Sequence, residues 1–171
     1  LTVRETVGTL RGTRIADVGD GNNVARSLAL LSAMLGVSFS IASPDGYELD
    51  SSTLQQATAL ADKSGAQFRS GTDPVAAVRA AQVVYTDTWT SMGQEMEAPG
   101  RRSRFSGFQV NASLLGHADR DVKFMHCLPA HHGEEVTSEV LNGPSSIVFD
   151  QAENRLHVQK ALLAQILIPA D

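Results

Sequence analysis

The sequence predicts an α/β fold: three layers, with a mostly parallel sheet covered by helices on both faces. Two observations carry this. Short β-branched or apolar runs alternate with longer segments of helical period along the chain, the mark of βαβ units whose parallel strands are buried on both sides. The strand-like runs also end in glycine, asparagine, aspartate or proline, where turns are expected. At 171 residues, with no internal repeat, low-complexity tract or interdomain linker, the sequence fits one domain with a substantial core.

Arg14-Ile15-Ala16-Asp17-Val18 reads as the first strand and runs into Gly19-Asp20-Gly21-Asn22-Asn23. A helix follows, with Val24, Leu28, Leu31 and Leu35 spaced as one buried face and Gly36 as its C-cap. Residues 37–42 form the next strand and Ser43-Pro44-Asp45-Gly46 a turn. Residues 52–63 are expected to be helical, 66–69 a short strand, 74–80 a short helix and 82–86 a strand, followed by a polar loop from Asp87 to about Arg101. Asn111 is placed to cap a helix running to about His117. Asp121-Val122-Lys123-Phe124-Met125 is the last strand, ended by Leu128-Pro129 because proline donates no N–H and restricts its predecessor. The final helix carries capping-box-like spacing at Asp150 and Glu153, and an apolar stripe of Leu156, Leu163, Ile166 and Leu167. The arrangement is Rossmann-like, and such sheets gather ligand groups at strand carboxyl ends.

Composition narrows the function. A net charge of −5, with no basic run, argues against a nucleic-acid surface. No apolar run approaches the roughly 18 residues of a membrane span, and nothing resembles a signal peptide. One cysteine in the whole sequence excludes an intrachain disulfide and fits a cytoplasmic protein.

Four segments fall where chemistry is expected. Gly19-Asp20-Gly21-Asn22-Asn23-Val24 joins a strand to a helix, and its glycines suit either a tight polar turn capped by Asn23 or a close ligand approach. A dinucleotide fingerprint would place a third glycine at position 24, although Asp45 lies about where its acidic residue would be. Asp87-Thr88-Trp89-Thr90-Ser91-Met92-Gly93-Gln94-Glu95 follows a strand, so Asp87 can hold an ammonium group; the alternative is a solvated loop with Trp89 tucked into the core, but Trp and Met together in a polar loop favour function. His126-Cys127-Leu128-Pro129 ends a strand. Neighbours on a strand face opposite ways, so His126 and Cys127 are not expected to form a dyad; Cys127 reads as either a functional thiol or a small buried hydrophobe. His131 and His132 follow, but without a second cysteine or an HExxH or CxxC spacing no metal site is expected. Glu153-Asn154-Arg155 is expected in the first turn of the last helix, where an arginine opposes the helix dipole and suggests an anionic partner as much as a solvated face.

Taken together, these four segments, in this order and spacing, resemble the second domain of the ornithine carbamoyltransferases, over essentially all 171 residues. The resemblance implies transfer of the carbamoyl group of carbamoyl phosphate to the δ-amine of ornithine, giving citrulline and phosphate in arginine synthesis, with no cofactor. It implies ornithine contacts by Asn23, Asp87, Ser91 and Met92. Carbamoyl-phosphate contacts fall to Cys127, Leu128 and Arg155, and Cys127, Asp87 and Arg155 are the catalytic residues. A cis Leu128-Pro129 bond is implied as well. The family's Ser-Thr-Arg-Thr loop and His-Pro-x-Gln segment, which belong to its first domain, do not occur here. Leu1 falls in the connection between the two domains, and that missing half also carries the main contacts of the family's trimer. The resemblance therefore implies that this polypeptide alone makes no citrulline. Other readings are a carbamoyltransferase for putrescine or an acylated ornithine, and a nicotinamide-dependent dehydrogenase.

Overall fold

The computed structural model describes residues 1–91 and 93–168. Five strands, β1 (Arg14–Val18), β2 (Ser38–Ala42), β3 (Phe68–Gly71), β4 (Val83–Thr86) and β5 (Lys123–His126), form one sheet in the order β3-β2-β1-β4-β5. Every pairing is parallel. β1, β4 and β5 are short and largely buried because both of their faces are covered, whereas the edge strand β3 is mostly exposed. Ala16, Val18, Val84 and Phe124 point into one core with Val78, Leu114, Val136 and Val140. Their alternates Ile15, Val83, Tyr85 and Met125 point into the other, with Phe39, Ala25, Ala29 and Ala57. The predicted three-layer α/β fold is what forms.

Helices α1 (Thr2–Val7), α2 (Asn23–Leu35), α3 (Ser51–Ser64), α4 (Pro74–Val78), α5 (Ala98–Phe105), α6 (Ala112–Leu115), α7 (Ser138–Leu141) and α8 (Val148–Leu167) join and flank the strands. Several expectations are corrected here. The buried face of α2 is Ala25, Ala29, Ser32 and Ala33, whereas Leu31 and Leu35 are exposed. Small residues win that face because α2 packs closely on α3, which offers Ala57 and Ala61. The cap of α2 is Asn22 rather than Asn23: its Oδ1 accepts from the N–H groups of Val24 and Ala25 at 2.9 and 3.1 Å. Asn111 does cap α6, but that helix ends at Leu115. The polar segment after Asp87 is not all loop, since α5 begins at Ala98.

At α8 the capping-box expectation fails. The helix starts at Val148, two residues before Asp150, with no side-chain cap. Arg155 is thus its eighth residue rather than a first-turn one. The stripe Leu156, Leu163, Ile166 and Leu167 is there but faces outward, at 56–72% exposure. Asn154 is the buried member of its motif: its amide donates to Thr2 Oγ1 at 3.0 Å and Glu5 Oε2 at 2.7 Å, tying α8 to α1. No described helix is long and apolar enough to cross a membrane.

Candidate active site

The strand order puts β1 beside β4 where the winding of the sheet reverses, and there the carboxyl ends of β1, β4 and β5 open onto one cleft. Thr86 clamps the point of reversal, its buried hydroxyl donating to the Val18 carbonyl at 2.6 Å. The next residue, Asp87, is the hub. Its Oδ2 accepts from Asn22 Nδ2 at 3.0 Å, and its Oδ1 accepts from the Thr88 N–H at 2.7 Å and from Cys127 Sγ at 2.9 Å. Segments after three different strands therefore fix one carboxylate.

The thiol is a donor here. Burial, then the bond to Asp87 and the charge of Asp87, push the Cys127 thiol up to about 12. A nucleophilic cysteine needs the opposite shift, so this environment suits positioning. Asp17, buried on the same face of β1 as Ile15, is raised well above the ordinary carboxylate range by burial first and by the charge of Asp87 second. Tyr85 is raised too, chiefly by burial. Its hydroxyl accepts from Gln151 Nε2 at 3.3 Å, while Gln151 Oε1 accepts from the His126 N–H at 3.1 Å.

A cleft of 620 Å³ opens beside Asp87. Asn23, Thr88, Thr90 and Ser91 line one side, Leu128, Pro129, His131 and Glu134 another, and Glu95, Ala98 and Arg102 complete it. Three acids, Asp87, Glu95 and Glu134, against one arginine leave the cleft acidic, since Arg102 already bonds Glu134 at 2.7 Å. Thr90 Oγ1 is buried and finds no hydrogen-bond partner among the described residues.

The segment after Asp87 is pinned by a residue that the motifs did not single out. Arg101, 5% exposed, donates to Asp20 at 2.6 Å, Glu97 at 3.0 Å and the Trp89 carbonyl at 2.9 Å, and lies 4.8 Å from the Tyr47 ring centre. Burial raises Asp20, with Arg101 pulling the other way. Trp89 itself is buried against Phe105, so within this segment it serves the core.

After β5 the chain turns at Leu128, which has φ +57°, and the Leu128–Pro129 bond is cis. His126 and Cys127 do face opposite ways, His126 toward the buried Glu135 and Cys127 toward Asp87. His131, Glu134 and Glu135 bring possible metal-ligand atoms within 4.8 Å of one another. Glu134 is taken by Arg102 and one Glu135 oxygen by His126 and the His131 N–H, while the other Glu135 oxygen lies 3.8 Å from His131 Nδ1.

Of the residues singled out, the structure therefore brings Asn23, Asp87, Ser91 and Leu128 to the cleft wall, with Cys127 bonded behind it. Met92 lies outside the described residues. Arg155 is exposed on α8 and is not among the residues that line the cleft. Sequence reasoning missed Asn22, Asp17, Arg101, Gln151 and Glu135. Only Asn22 had a local signal, as the first of two adjacent asparagines before a helix. The others act across the fold.

Gly21 bears on the dehydrogenase reading. A Cβ there would stand 2.4 Å from Glu48 C and Leu49 N, and its N–H donates to the Tyr47 carbonyl at 2.7 Å. The glycine is thus required by the chain's own close approach at 47–49, without any ligand.

Residues 11–166 match the family described as aspartate/ornithine carbamoyltransferase, Asp/Orn binding domain. This chain belongs to that family. The anabolic ornithine carbamoyltransferase of Pyrococcus furiosus is 52% identical over 98% of the chain, and the ornithine carbamoyltransferase of Bacillus subtilis is also 52% identical over 98%. The solved P. furiosus carbamoyltransferase superposes on 95% of the chain with a TM-score of 0.91 and 53% identity. The chain spans about half the length of the curated carbamoyltransferases it matches, 53% and 52% for those two.

Proposed function

We propose that this chain is the ornithine-binding half of an ornithine carbamoyltransferase, completed by a carbamoyl-phosphate-binding half that these residues do not supply. The observation that carries the reading is the Asp87 carboxylate, held by Asn22, Thr88 and Cys127 at the wall of an acidic cleft. A charged acceptor fixed in advance is what a substrate ammonium group requires. Asp87 and Asn23 would take the α-amino and carboxylate end of ornithine, and Ser91 with Met92 would close over it. The δ-amine would then point toward Cys127 and Leu128.

The chemistry follows from that pose. The neutral δ-amine attacks the carbamoyl carbon, the new C–N bond forms as the C–O bond to phosphate breaks, and the proton lost from nitrogen balances on the departing phosphate. Two substrates held in line in a closed site account for most of the rate. Cys127, protonated, serves as a donor and enters no covalent intermediate. Arg155, whose exposure leaves it free to meet a ligand from outside this half, would bind carbamoyl phosphate. The exposed stripe of α8 would lie against the other half, as apolar patches of this kind do at interfaces. The completed enzyme would be cytoplasmic and trimer-based, with the other half making the trimer contacts.

The test is citrulline formation. Fused to the carbamoyl-phosphate half of the P. furiosus relative, the chain is expected to make citrulline from ornithine and carbamoyl phosphate, and alone to make none. A folded fusion that carbamoylates putrescine in preference to ornithine would defeat the reading.

A further inference from the structure

We infer that Glu135 is a positioning residue for this site, setting the Cys127-Leu128-Pro129 turn through His126. The inference rests on the functional reading above for its purpose, and on geometry alone for its content. Leu128 has φ +57°, a conformation that costs an L-residue with a bulky side chain of order 1 kcal/mol or more and persists only where the surroundings enforce it. The enforcing contact is visible: the Leu128 N–H donates to His126 Nδ1 at 2.8 Å. That bond exists only if Nδ1 carries no proton, so the ring must hold its proton on Nε2. Nε2 in turn faces Glu135 Oε1 at 3.1 Å, with both side chains fully buried. The same Glu135 oxygen accepts the His131 N–H at 2.6 Å.

One carboxylate oxygen therefore holds both ends of the segment from His126 to His131. It selects the imidazole tautomer at one end and anchors the backbone at the other. Between those anchors lie Leu128 and Pro129 of the cleft wall and Cys127, the donor to Asp87. Glu135 is held in place itself, since its own carbonyl accepts the Val110 N–H at 2.8 Å. The logic is that of an outer residue fixing the tautomer and orientation of an inner one. Glu135 Oε2 accepts no hydrogen bond from the described residues. The work thus falls on Oε1, and the amide oxygen of a glutamine can do it as well.

Long-range nitrogen–proton NMR of the imidazole in the 171-residue chain, with the Leu128 amide followed in the same sample, tests this. In the unsubstituted chain His126 should show a protonated Nε2 and an acceptor-like Nδ1. Glu135→Gln should keep that pattern and the Leu128 amide shift. Glu135→Leu, if folded, should lose both, and with them at least tenfold in ornithine affinity. A protonated Nδ1 in the unsubstituted chain overturns the inference whether or not any variant folds. So does a folded Glu135→Leu with an unchanged Leu128 amide. Failure of the unsubstituted chain to bind ornithine would instead count against the functional reading and leave the tautomer result standing.

Discussion

Cys127 is the residue whose meaning changes most between sequence and structure. Beside a histidine it suggests a nucleophile; bonded to Asp87 and pushed up to about 12, it is a donor. Its alkylation rate should stay low through neutral pH and rise only toward pH 12, against about 8.5 for a free cysteine. A rise centred near pH 8.5 would refute the assignment. Cys127→Ser keeps a donor and Cys127→Ala does not, so calorimetry should find ornithine binding weaker by about 1–3 kcal/mol in the alanine variant and less so in the serine one. Asp17 gives a second prediction at this scale. Its folded-state pKa is raised, so its contribution to stability is present below the ordinary carboxylate value and is lost as pH rises through the folded one. Asp17→Asn should therefore raise the melting temperature at pH 7, by roughly 2–4 °C for each 1 kcal/mol recovered. The advantage should shrink toward pH 4.

At the scale of elements, α2 and α5 each put a structural residue beside a functional one. Asn22 caps α2 and braces Asp87, while Asn23 lies exposed at the cleft. Asn22→Ala should cost about 1 kcal/mol in denaturant unfolding, the usual worth of such a cap. Asn23→Ala should leave unfolding unchanged and weaken ornithine binding. The reverse pattern would exchange their roles. Arg101→Ala strands the nearly buried Asp20 and should cost roughly 3 kcal/mol, in the range for breaking one side of a buried pair. What was legible follows from locality. Buried strands are short apolar runs, glycines end helices at positive φ, and functional groups follow strands, so the sheet, the Gly36 cap and the Asp87 and Cys127 positions could be read directly. What was not legible depends on distant partners. Leu31 and Leu35 match a helical stripe, but the alanines of α3 decide which face of α2 is buried. Arg101 in a polar run and Glu135 in a loop carry no local sign of burial.

At the scale of the whole molecule, the apolar stripe of α8 stands outward while the central strands of the sheet are covered on both faces. Since the stripe stands mostly exposed among the described residues, changing Leu163 and Ile166 together to serine should leave thermal stability within about 0.5 kcal/mol. Sedimentation should show less self-association. A large loss of stability would mean that the stripe supports this fold after all. The same division, a finished core under an unfinished surface, is what half of a two-part site would show. The direct test of the central claim is therefore a backbone-amide NMR titration of the chain with L-ornithine, and with putrescine in parallel. The account predicts saturable shifts at Asn23, Asp87, Ser91 and Cys127 with ornithine, and much weaker ones with putrescine, which lacks the carboxylate. No response at those residues, or an equal response to both amines, would contradict it.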